Sequence, residues 1–223
     1  MKLTAEQIQV IAETLDLNGL VYEDMKWELL DHIASEIENK MCLENLSFGE
    51  TYKAVFENWK EQLRPKTYDL LFGYNLIGPR IIMDKMASNK ISELKLIGIS
   101  VFTILLIIIG VYKFTNNKEL LNYFEHFLAF LATGGCVMLL VFKIKFSFSK
   151  IKTSHKLRFD NSIISLLLYF IVMRFNAKHS SYLSIDIYYL TIDFLMTLTF
   201  IALIFNALNI AYKHFQFEKK YAN

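Results

Sequence analysis

Proline and glycine are scarce. Two prolines and 8 glycines punctuate 223 residues, too few for a loop-rich or turn-rich β fold. Cysteine is scarcer still. Cys42 and Cys136 fall in different halves, which excludes a disulfide framework and a cysteine-based metal cage. There is no Walker loop, dinucleotide fingerprint, His-Glu-x-x-His pair or serine nucleophile elbow. No internal repeat is apparent, so an inverted-repeat transporter is unsupported. The opening "MKLTAEQIQV" lacks an apolar core with a cleavage site, so no secretory signal is expected.

What is present is apolar. Hydrophobic residues make up 54% of the chain, a level that suits a helical protein with membrane spans. Charge divides it. Residues 1–90 hold 10 Lys/Arg against 15 Asp/Glu, a net of −5, and residues 91–223 hold 14 against 7, a net of +7. An acidic front is joined to a basic, apolar back.

The front reads as three amphipathic helices. Thr4 and Gln7 form a capping box, as do Ser47 and Glu50. "DLNGL" ends the first helix. The second runs from Tyr22 to Met41 and buries Leu30, Ile33, Ala34, Ile37 and Met41. Tyr52, Val55, Phe56, Trp59 and Leu63 share a face of the third, which Pro65 ends. Trp27, Phe56 and Trp59 are expected in or beside the shared core. The apolar segment "YDLLFGYNLIGPRIIMDKM" is too interrupted to span. It reads as a short surface helix, followed by a helix started at Pro79 that continues as a stalk into the first span.

On the second helix, Glu28, His32 and Glu36 lie at i, i+4, i+8 and share a face. Such a row suits a divalent metal only if another helix adds ligands; otherwise it is a solvated polar face. No cofactor is specified. At these residues "ELLDHIASEIENKM", followed by "LSFGETYKAVFENWKEQL", resembles the HAAS-type helical modules associated with PadR-like regulators. A similar helical front fused to several spans occurs in uncharacterised Bacteroidota-like membrane proteins. The resemblance covers Leu3–Leu63. It implies a signalling or regulatory role and carries over no catalytic residue.

Four apolar runs follow: between Lys95 and Lys113, Leu120–Phe142, Ser162–Phe175 and Leu183–Tyr212. The second contains "ATGGC", where a neighbouring helix can approach closely. Basic loops stay in the cytoplasm. Between the second and third runs lie Lys143, Lys145, Lys150, Lys152, Lys156 and Arg158, and no acid before Asp160. This loop, both termini and the front are therefore expected inside, in a bacterial inner membrane. The lysines and Arg158, interleaved with Ile and Phe, suit anionic headgroups or docking of the acidic front. Nucleic acid is the disfavoured partner, because no recognition helix accompanies the patch.

The same topology gathers Glu125, His126, Arg174, Asp186 and Asp193 toward the outer half. Each alone would cost about 2.5–3.5 kcal/mol at mid-bilayer. Arg174 with Asp186, and His126 with Asp193, are the expected pairings. Asp186 can simply reach the headgroups; Asp193 is a packing contact or a ligand or proton site.

The expected fold is all-α: a cytoplasmic helical domain (1–66), an amphipathic connector and stalk (67–94) and a four-span domain (95–223) with its basic loop at 143–158. The expected function is regulatory, with the front binding a cytoplasmic or membrane protein. The alternatives are a small membrane enzyme or transport subunit using the outer polar cluster, and a structural subunit of a membrane complex. An enzyme is the less favoured class.

Overall fold

Helix starts fall where the capping boxes put them. In the computed structural model, which describes residues 2–69, 75–115, 118–163, 166, 169 and 187–221, helix α1 spans Ala5–Leu17 and α3 spans Phe48–Leu63. The Gln7 amide donates to Thr4 Oγ1, and the Gln7 side chain accepts from the Thr4 amide. Ser47 and Glu50 repeat the exchange. α1 stops at Asn18 and Gly19, whose φ of +83° a side chain would resist. Helix α2, Glu23–Glu44, ends on Asn45 in the left-handed region.

The chain folds as two compact units. The first comprises residues 1–90 and 151–154. Its core is built from Ile11 and Leu15 of α1, Leu29, Leu30, Ile33, Ile37 and Met41 of α2, and Val55 and Leu63 of α3. Each fully buried aliphatic side chain contributes about 1.5–3 kcal/mol. The expected stripe of α2 is present, with Ala34 at its half-buried margin. Phe56 and Trp59 are half-buried. Trp27 is not in the core: it lies off the α2 stripe and is 48% exposed.

The segment after α3 is not a surface helix. Strand β1 (Pro65–Asp69) pairs antiparallel with β2 (Asn75–Pro79), Pro65 opposite Pro79 and Thr67 opposite Ile77. Both prolines sit at the open end of the hairpin, where a missing N–H costs least. The Arg80 amide donates to the Arg64 carbonyl just beyond them. Helix α4 then runs unbroken over Arg80–Thr115, so stalk and first span are one helix. Ile82, Met83 and Met86 of its first turns are buried in the first unit.

The second unit comprises residues 91–150 and 155–223. It contains the rest of α4, helix α5 (Lys118–Ser147), most of α6 (residues 154–163) and α7 (Ile187–Tyr221). On α5, Leu128, Ala132, Cys136, Leu139 and Phe146 are buried at helical spacing. They meet a row on α7 that includes Phe194, Leu198, Ile201, Ile204, Ala207 and Ala211. The small-residue patch works at one of its two glycines. A Cβ on Gly135 would lie 2.6 Å from Ile204 Cγ2, whereas one on Gly134 would meet nothing within 4 Å.

The protein is all-α apart from the hairpin. Three helices, not the expected four, are long and apolar enough to cross a membrane among the described residues: Arg80–Val111, Glu119–Ser147 and Ile192–Tyr221. Most of the expected third span, 162–175, lies outside the described residues. These three helices suggest a membrane protein. The outward residues of α4, such as Phe102, Leu106 and Ile107, are exposed apolar groups suited to lipid.

Candidate functional site

Of the five residues expected to form a polar cluster, Glu125, His126 and Asp193 are described, and Arg174 and Asp186 lie outside the described residues. α5 and α7 meet at this level, with the Phe124 and Phe194 rings 6.2 Å apart. Glu125 and His126 lie on α5 and Asp193 on α7, the two helices whose apolar rows pack together. The expected His126–Asp193 pair is not formed: among the described residues neither group has an ion-pair partner. Adjacent helical positions point about 100° apart, so Glu125 and His126 cannot both face Asp193.

The basic stretch is largely engaged within the fold. In the second unit, Lys143 pairs with Asp160 at 2.6 Å. Lys145 lies over the Phe215 ring at 3.9 Å, and Lys156 donates to the Ser149 carbonyl. Arg158 pairs with Glu93, and Glu93 also accepts from the Asn206 amide at 3.3 Å. That network ties α4, α6 and α7 together, and its two charged side chains are only 13% and 25% exposed. Next to it the Phe146 ring packs edge-on against His214 and Phe159, all three fully buried. Among the described residues, Lys150 and Lys152 are exposed and make no ion pair or ring contact.

Residues 151–154 belong to the first unit. The Glu23 amide donates to the Lys152 carbonyl at 2.9 Å. The Asp24 carboxylate accepts from the Ser154 amide at 2.8 Å and from the Ser154 hydroxyl. Within the first unit, residues 151–154 thus meet the start of α2 through the backbone and the Ser154 side chain. Beside this contact, burial and the Asp24 charge push the Tyr22 phenol above its ordinary value.

The proposed metal row is occupied by other partners. Glu28 binds Lys85 at 2.5 Å, Glu36 accepts from the Trp59 indole at 2.7 Å, and His32 is exposed. Among the described residues no group of three His, Cys, Asp or Glu side chains is placed to hold a metal ion. Where further ligands would be needed, α3 supplies Trp59 and α4 supplies Lys85.

Sequence reasoning missed two contacts. Glu93–Arg158–Asn206 had one clue, a lone Asn206 in an apolar run. Asp24–Ser154 had none, since its partners are 130 residues apart. No family model, curated protein or solved structure matches the chain.

Proposed function

We propose that this is a membrane-embedded regulatory protein whose acidic helical front binds a protein partner on the cytoplasmic side. One observation carries the reading: residues 1–90 and 151–154 fold as a single unit. Two span-length helices, α4 and α5, separate those segments. Two crossings return the chain to the side it left. The front and the basic loop therefore share a side, and basic loops remain cytoplasmic. The HAAS-like pattern over Leu3–Leu63 fits the same role.

The front also presents apolar side chains beyond its own core. Leu17 and Leu43 are 88% and 86% exposed. Photocrosslinking from these two positions of the full chain in native membranes tests the proposal. The expected result is a discrete adduct with another protein, lost when the neighbouring acidic side chains are reversed. An absence of adducts at both positions would overturn it.

A second reading uses Glu125 and Asp193 as the proton or cation site of a small membrane enzyme or transport subunit. Both lie on apolar, span-length helices that pack together, where ionisable groups tend to be functional. Asp193→Asn should then abolish the phenotype while the chain still assembles. A normal phenotype removes this reading and leaves the first intact.

A further inference from the structure

The three front helices start differently. α1 and α3 each close their first turn with a capping box of their own. α2 does not: its N-cap is Tyr22, whose side chain makes no capping hydrogen bond. The first turn of a helix leaves its amides without intrahelical acceptors. In α2 one of them, on Glu23, is satisfied by the Lys152 carbonyl. The favour is returned at α6, where the first-turn amide of Ser154 finds the Asp24 carboxylate, and the Ser154 hydroxyl donates to the same group. Thr153 and Ser154 are both buried at 1% exposure, so water cannot readily replace these bonds.

We propose that this reciprocal cap is a conformational relay: the first turn of α2 and the start of α6 are ordered together or loosened together. A carboxylate at a helix N-terminus is favoured by charge as well as by hydrogen bonding. Withdrawing the 151–154 segment therefore strips α2 of an acceptor that its own sequence does not provide. Withdrawing Asp24 leaves the Ser154 amide buried without an acceptor. A change at residues 151–154 is thereby reported to α2, the helix that carries most of the front core. The relay deepens the regulatory reading and rests on it, yet it makes a claim about coupling that needs no partner protein.

The test is amide hydrogen exchange on the full chain in lipid nanodiscs. Ser154→Pro removes both the amide and the hydroxyl that bind Asp24, at a first-turn position where proline is well tolerated. The expected result is exchange faster by roughly fivefold or more at residues 23–26, with the self-capped first turns of α1 and α3 unchanged. Asp24→Ala should accelerate the start of α6 by a similar factor. Unchanged exchange across 23–26 in Ser154→Pro would overturn the relay, as would equal acceleration of all three front helices. Loss of the crosslinked partner with the coupling preserved would count against the regulatory reading alone.

Discussion

Gly134 and Gly135 are neighbours with opposite expected responses to one methyl group. Alanine in a helix interior is favoured over glycine by about 0.8–1.0 kcal/mol. At Gly134 nothing lies within 4 Å of the new Cβ, so Gly134→Ala should keep that gain. At Gly135 the Cβ would sit 2.6 Å from Ile204 Cγ2, about 1 Å inside ordinary carbon contact. Ile204 cannot swing the methyl away, because a β-branched residue in a helix is nearly confined to one χ1 rotamer. α5 and α7 must separate instead. Overpacking of this kind costs about 1–3 kcal/mol. Gly135→Ala is therefore expected to be about 1–3 kcal/mol less stable than Gly134→Ala. The comparison uses the purified full chain in mixed micelles, unfolded with increasing dodecyl sulfate and followed by circular dichroism. Adding Ile204→Ala to Gly135→Ala should recover part of the loss, a coupling of about 1 kcal/mol. Equal stability of the two alanine variants would refute the close approach of α5 and α7 at this point.

Glu93→Ala should destabilise the second unit by about 1–3 kcal/mol in the same unfolding assay, less than a fully buried pair because both side chains keep some solvent contact. Glu93→Gln keeps an acceptor for Asn206 and should cost less; equal losses would show that the carboxylate does not matter. Acid should loosen α3. Hydrogen bonds from the Ser47 side chain and then its backbone hold the Glu50 carboxyl below its ordinary value of 4.5. Its contribution is thus fully present above pH 4.5 and is lost as pH falls through the lowered value. Amide exchange at residues 48–51 should rise across that window and become flat in Glu50→Gln; the same rise in Glu50→Gln would show that another group titrates.

Legibility followed the range of the interaction. The capping boxes at Thr4 and Ser47 could be read directly, since both partners lie within one turn. The stripe Leu30–Ile33–Ile37–Met41 was equally plain, as was the continuity of α4 through its charged stalk. Whether Trp27 lies in the core or beside it was left open, because a wide apolar arc leaves its edges ambiguous. The hairpin was missed because "KTYD" and "NLIGP" are too short to show strand alternation, and an apolar run between breakers also fits a helix. The site was less legible. Hydropathy located Glu125 and Asp193 in apolar helices but not how α5 and α7 are rotated against each other. The basic stretch suggested free cations, whereas Asp160, Phe215 and Glu93 engage three of them.

The sequence by itself determined where α1 and α3 begin, that long apolar stretches can cross a bilayer, and that the front has its own apolar core. Those properties depend on residues within a turn or two of each other and on transfer from water. Only the tertiary structure decided that Asp24 caps a helix 130 residues away, that Glu93 joins Arg158 and Asn206, and that Gly135 is the glycine under Ile204. Such contacts arise from the rotation and register of whole helices, which many weak packing interactions fix together and no local pattern encodes.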